Sequence, residues 1–487
     1  MDPRIYRAAL VGHRYTSDGV TSWVDQARIN MRIQPKSNPY PKMSAWKEIR
    51  PRYLPAVITM FLLLQVLFLV NMSYFYATQF RSTTRYHNFN VIYVDYDGGI
   101  IGKSVSDAYQ QLQGDRFPTL LAESSNEYAQ PEDIREAVCR GEYWGAIYTT
   151  KGGSADLASA LASGSNPPTS LTYIWNGVRY PVFSQSVVYS NILKLIEATR
   201  LTYYANNGSS AAASTNLSNA ATLKAFLDPI HVEEVNIKST EQGTRVFYNT
   251  VSMVMPIIQQ FFFMLALNGI STHLNAFTKL SWKANGLIRL IASTLYTLTG
   301  ALLMTGYIWA FRESWGQGGS RFVLTWVIMW LLMHINFLFF DITTAFVPIQ
   351  FMPFIVLTWV ILNVASTITP FELNPGFFRW GYALPSHEAY QVLIQIWSGG
   401  CNNQLYRALP IMFSWWIVGV PIAVYAMRYR CKAAVAALEA LDRAALESQS
   451  EPKHAVTNDT VTPVRGSRRG FEQNGESIED LPLRNIV

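Results

Sequence analysis

Histidine and cysteine are scarce in this chain, with seven and three among 487 residues. None recurs at metal-ligand spacing, and no Gly-x-Ser-x-Gly nucleophile elbow is present. Charge is thin as well: Asp, Glu, Lys and Arg make up 15% of the residues, against 49% hydrophobic. With no catalytic constellation and no ligand cluster, neither enzyme chemistry nor a metal or other cofactor is expected.

The charge that exists collects at the two ends and in one central block. It leaves six stretches of roughly 20 residues almost bare, which is the length a hydrocarbon core demands. They are 54–77, 247–270, 290–311, 322–340, 347–368 and 409–427. The first follows a polar, basic segment, 1–53, and lies too deep and runs too long for a cleavable signal. It reads as a signal anchor. The expected fold class is an α-helical polytopic membrane protein with about six transmembrane helices, so the lipid bilayer is its first partner.

Lys and Arg beside a span resist translocation, which sets orientation. Residues 1–53 hold ten basic and four acidic side chains. The connection after the second span carries Lys279, Lys283 and Arg289 with no acid, and Arg428, Arg430 and Lys432 follow the last span. Those flanks belong in the cytosol, which puts both termini there and 78–246 on the extracytoplasmic side. The membrane is a plasma membrane or one of the secretory pathway. The segments 1–53 and 448–487 lack long apolar periods and are expected to be disordered, with a cytosolic helix over 431–447.

Within 78–246 the pattern is α/β. Val91 to Tyr96 reads as a strand closed by Asp97-Gly98-Gly99, with further strands at 144–149 and 171–175. Helical spacing marks 104–112 and 186–204. Asn207-Gly-Ser209 and Asn216-Leu-Ser218, in a loop-like Ser/Ala/Asn-rich stretch, are candidate glycosylation sites. Cys139 and Cys401 both fall on this side, where an oxidising compartment lets two thiols pair; two unpaired buried cysteines fit the count equally well. Gly102-Lys103-Ser104 sits between a strand and a helix, the setting of a phosphate loop. The motif also needs a glycine where this chain has Asp97, so a strand–turn–helix corner is expected instead.

Inside the spans Gln259, Gln260, His334, Asn336, Gln350 and Asn363 are polar and must face other helices or a wet cavity. Gln259, Gln260, His334 and Asn336 are candidates to line a substrate path, with interhelical hydrogen bonding as the alternative. No row of charges runs through the spans, so the matching cargo is neutral or amphipathic. Pro385-Ser386-His387, before the last span, reads as an elbow, re-entrant or interfacial, under the outer domain.

Four stretches carry a family likeness: Val91-Ile-Tyr-Val-Asp-Tyr-Asp-Gly-Gly99, Gly141-Glu-Tyr-Trp-Gly-Ala-Ile-Tyr148, Gly381-Tyr-Ala-Leu-Pro-Ser-His-Glu-Ala-Tyr390 and Ile396-Trp-Ser-Gly-Gly-Cys401. Through them the chain resembles the fungal nitrosoguanidine-resistance protein family, itself similar to the membrane subunits of ABC type 2 permeases. The likeness covers Leu54 to Lys432. It implies one span, a large outer domain and five more spans, a fungal origin, and a role in drug resistance or in lipid organisation. It carries over no catalytic residue. Permease subunits of that type work in pairs, so it also implies a homodimer. The expected function is permease-like movement of lipophilic compounds or phospholipids. The alternative is a non-transporting membrane scaffold or regulator acting through the outer domain. Neither calls for nucleic acid.

Overall fold

The computed structural model describes residues 43–165 and 168–450. Among them six helices are long and apolar enough to cross a membrane: Arg50–Thr78, Val251–His273, Trp282–Ala310, Gly319–Phe346, Ile349–Ile368 and Leu405–Leu446. The chain is an integral, polytopic membrane protein. The disorder expected for 1–53 and 448–487 falls largely outside the described residues. Residues 43–53, however, are helical and open α1 (Met43–Thr78). From Val57 to Val70 the apolar side chains of α1 are exposed on almost every face, Phe61 by 60% and Leu69 by 67%. A helix apolar all round has its backbone groups satisfied internally and needs lipid to cover it.

From Leu69 onward the chain forms one compact unit. Its first part is an α/β domain: β1 (Asn90–Asp95), α2 (Ile100–Leu112), β2 (Thr119–Glu123), α3 (Pro131–Arg140), β3 (Gly145–Thr149), α4 (Gly153–Ser163), β4 (Leu171–Trp175), α5 (Ser190–Ser214), α6 (Ala220–Leu227) and β5 (Val232–Asn236). The sheet order is β2-β1-β3-β4-β5. β1 is parallel to β2 and β3, β4 antiparallel to β3, and β5 parallel to β4. Helices cover both faces of the sheet, which is why β1 is apolar without alternation. Val91 and Tyr93 pack with Ile101, Leu157 and Ile192, whereas Ile92 and Val94 pack with Ile134 and Val138 on the other side.

Two features of this domain differ from the expectation. Helix α5 runs on to Ser214, so Asn207 sits inside a helix and not in a loop. Ala211 to Ala213 favour that extension, since alanine is the best helix former. β2 and β5 escape the sequence pattern because they are five-residue edge strands without full burial.

The membrane bundle is α7 (Val251–His273), α8 (Trp282–Ala310), α9 (Gly319–Phe346), α10 (Met352–Ile368), α11 (Pro385–Ser398) and α12 (Leu405–Ser450). Helix α9 is central and packs on α7, α8, α11 and α12. Helix α11 is not one of the six spans. It is buried without a break from Pro385 to Ile394, with Pro385 at the first helical positions, where a missing N–H costs nothing. Helices α8 and α9 outrun their apolar stretches. Ser281 caps α8 by accepting from the Ala284 amide, which places Arg289 inside the helix and buried, not in the connection. Asp341 is likewise inside α9 and buried.

Candidate functional site

The α/β domain grips the segment between α10 and α12 through polar and aromatic side chains that sequence reading leaves unassigned and through one cysteine pair that it offered. The Trp144 indole N–H donates to Glu372 Oε1 at 3.3 Å and the Asn88 amide to the Glu372 carbonyl at 2.7 Å. Tyr180 meets Tyr390 of α11 edge to face, with centroids 5.1 Å apart. Cys139 and Cys401 are joined sulfur to sulfur with Cα atoms 4.4 Å apart, beside a backbone bond from Asn403 N–H to the Arg140 carbonyl at 3.1 Å.

This seam encloses a polar chamber of about 70 Å³ whose walls include Arg179, Glu372, Tyr382, His387, Gln391 and Arg407. The Arg179 guanidinium lies 3.8 Å over the Trp144 ring and 3.8 Å from the Glu372 carboxylate. Arg407 donates to Glu388 Oε1 and Oε2 at 3.1 and 3.3 Å and lies 4.5 Å over Tyr382. Burial pushes the Glu388 carboxyl up to about 7 even though Arg407 pulls it down. Burial lowers His387 to about 3, so the imidazole is neutral. His387 Nδ1–H donates to the Ser366 carbonyl at 2.7 Å, which leaves the buried Nε2 lone pair without a hydrogen-bond partner. Arg179, Glu372 and Arg407 make the chamber wall polar, with Glu388 bonded to Arg407 beside it.

Tyr382 also stands in the wall of a second space, an apolar cleft of about 790 Å³ between α9, α12 and the 3₁₀ turn Gly376–Ala383. Ile335, Leu338 and Phe339 line it from α9, Trp415, Val418 and Ile422 from α12, and Arg379 stands at its edge. One tyrosine therefore separates an apolar slot from a polar chamber.

The polar residues singled out in the spans lie elsewhere in the bundle. His334 Nδ1 accepts from the Trp416 indole at 2.7 Å, and Asn336 Oδ1 accepts from the Trp359 indole at 2.8 Å. Gln260 is fully buried, with neither side-chain polar atom bonded. Gln259 stands against Gly300, where a Cβ would come within 2.9 Å of its amide nitrogen. Asn363 reaches the seam, its Oδ1 accepting from the Ser386 amide at 3.3 Å. Of the two sequon asparagines, Asn216 is exposed and Asn207 half-buried.

The corner at Gly102 has its own polar logic. Asp95 Oδ1 accepts from the Asp97 and Gly98 amides, both at 3.0 Å, and from Thr149 Oγ1 at 2.6 Å. Asp97 accepts from the Gly99 amide at 3.2 Å and the Ser154 amide at 2.9 Å. The Asp97, Gly98 and Gly99 amides are taken by the protein's own carboxylates, the Ile101 amide by Ser154 Oγ and the Lys103 amide by the Gly99 carbonyl.

The model of the family described as "Protein of unknown function (DUF3533)" matches residues 60–420. The chain belongs to this family. The matched range runs from within α1 into α12, so it takes in the α/β domain, the seam and all of the cleft but Ile422. The DUF3533 chain is also 36% identical over 120 residues to the uncharacterized endoplasmic reticulum membrane protein YJR015W of Saccharomyces cerevisiae, a match spanning 22% of this chain and 22% of that protein. It covers about a fifth of each. No solved structure matches the DUF3533 chain.

Proposed function

We propose that this protein is permease-like and that it takes up a lipophilic or amphipathic molecule, a phospholipid or a membrane-permeant toxicant, and moves it between leaflets. The observation that carries this reading is the apolar cleft of about 790 Å³ that shares Tyr382 with the polar chamber. An acyl chain or apolar ring fits the slot. A zwitterionic headgroup fits a chamber in which Arg179 is paired with Glu372 and Arg407 with Glu388, the latter carboxyl ionising at about 7. On the charge argument the α/β domain is extracytoplasmic, so the chamber would serve the outer leaflet. The likeness to nitrosoguanidine-resistance proteins and ABC type 2 permeases supports a role in tolerance to toxic compounds, and the relative's name supports an endoplasmic reticulum or other secretory-pathway membrane.

The reading is tested by reconstituting the full-length protein in vesicles and following a fluorescent phospholipid between leaflets, with and without ATP or a proton gradient. Ser414→Trp, on an exposed position of α12 at the cleft wall, should fill the slot and cut flux by roughly tenfold, the loss expected when about 1.4 kcal/mol of binding is removed. Unaltered flux in that variant removes the cleft as the path, and no flux beyond protein-free vesicles under any condition sinks the permease reading in favour of a scaffold.

A further inference from the structure

Arg407 and Arg430 both lie on α12, and their separation of 23 positions puts the two about 35 Å apart at the helical rise. At the Arg430 end a second polar node is built inside the bundle. Asp341 Oδ1 accepts from Arg289 Nε at 2.8 Å and from Arg430 Nη1 at 3.1 Å. Arg430 Nη2 donates to the Asp341 carbonyl at 2.9 Å and Thr344 Oγ1 at 3.1 Å. The remaining contacts of Arg289, to Asn268 Oδ1 and Met264 Sδ, are with uncharged atoms. Two cations therefore share one carboxylate, and their side chains are only 5% and 11% exposed. The node holds an uncompensated positive charge where dielectric screening is weak, which a nearby anion would offset.

Next to it opens a cavity of about 650 Å³ between α12, the end of α9 and the helical turn Ala276–Lys279. Asn275 and Lys279 line it from the turn after α7, Phe346 and Val347 make an apolar wall at the end of α9, and Arg430 stands on α12 with Leu438 further along the same helix; no acidic residue lines it. We propose that this cavity binds an anionic phospholipid, its phosphate between Lys279 and Arg430 and its acyl chains passing Phe346, whose ring lies against Tyr425 and Tyr429, into the bilayer. The excess charge selects an anionic headgroup over a zwitterionic one. The apolar wall selects a lipid over a free phosphate ion. The site is separate from the cleft and stands whether or not the protein transports.

The test is lipid retention by the purified full-length protein, read by native mass spectrometry, with phosphatidylserine, phosphatidylcholine and inorganic phosphate as the three probes. Phosphatidylserine should be retained preferentially. Lys279→Gln should weaken that retention by about fivefold, the effect of one basic side chain near a lipid surface. Ala437→Glu, which sets a carboxylate in the cavity without touching the Asp341 node, should weaken it further. Phosphatidylcholine retention and the melting temperature, unchanged in both variants, report that the fold is intact. Equal retention of the two lipids by the unaltered protein, variants that hold phosphatidylserine as well as it does, or displacement of the lipid by equimolar inorganic phosphate would each overturn the proposal.

Discussion

Trp416 of α12 donates its indole N–H to Nδ1 of His334 on α9 at 2.7 Å, while Nε2 of the same ring faces Ser293 Oγ of α8 at 3.5 Å. The imidazole thus ties three helices together as a neutral group, with its tautomer fixed by the indole. Gln260 is the contrasting case, buried to the same degree with both polar atoms unbonded.

The two residues should therefore respond oppositely to substitution. His334→Ala strands an indole N–H and opens a cavity, with an expected cost of about 2–4 kcal/mol. Gln260→Leu removes two unsatisfied atoms and should be neutral or stabilising by up to about 2 kcal/mol. Thermal denaturation in detergent separates them. If Gln260→Leu lowers flux while keeping or raising the melting temperature, Gln260 serves the path and not the fold.

The chamber gives a pH dependence with two opposed slopes. Glu388 rises from 4.5 to about 7 in the folded protein, so its contribution is complete below the unfolded value and is lost as pH rises toward 7. His387 falls from 6.5 to about 3, so its contribution is complete above 6.5 and is lost as pH falls toward 3. Between those limits the two proton balances offset, and stability should be nearly flat from about pH 4.5 to 6.5. Glu388→Gln should expose a rise with pH over that interval, and His387→Asn a fall, each of about 1.4 kcal/mol per pH unit. A melting-temperature series across pH checks both signs; identical profiles in all three proteins would refute the assignment.

Cys139 and Cys401 are separated by 262 residues, and a cross-link closing so long a loop should contribute about 3–5 kcal/mol. Peptide mapping without reductant should recover the linked peptides from protein made in the secretory pathway. Reductant, or a Cys139→Ser, Cys401→Ser double substitution, should lower the melting temperature and loosen the α/β domain from α11. Two free thiols in the map would remove this tie.

Glycan mapping tests both topology and local structure. Asn216 lies exposed in the turn after α5, whereas Asn207 is within that helix. If 78–246 is extracytoplasmic, Asn216→Gln should abolish most of the glycosidase-sensitive mass shift and Asn207→Gln little of it. Digestion of this domain by protease from the cytosolic side of sealed vesicles would reverse the orientation.

Gly102 is where a side chain would meet the Asp95 carboxylate, at 2.0 Å from Oδ2. Gly102→Ala should destabilise the α/β domain by about 1–3 kcal/mol, whereas Lys103→Ala, at an exposed position, should change stability by less than about 0.5 kcal/mol. A nucleotide loop would behave differently: Lys103→Ala would abolish nucleotide binding at unchanged stability.

The sequence by itself determined that this protein lives in a bilayer, because a run of about twenty apolar residues is a local property and is the length that a hydrocarbon core demands. It likewise determined β1, whose unbroken Val-Ile-Tyr-Val run needs cover on both faces. The sites were decided only in three dimensions. Arg179, Glu372 and Arg407 are far apart in the chain, and only the packing of the α/β domain against α11 brings them to one seam. Arg289, Asp341 and Arg430 stand 52 and 89 residues apart in the chain and read as flanking charges until helices longer than their apolar stretches bring them together. Hydropathy measures whether a segment can leave water; which charges leave with it depends on where the helices end and what packs beside them.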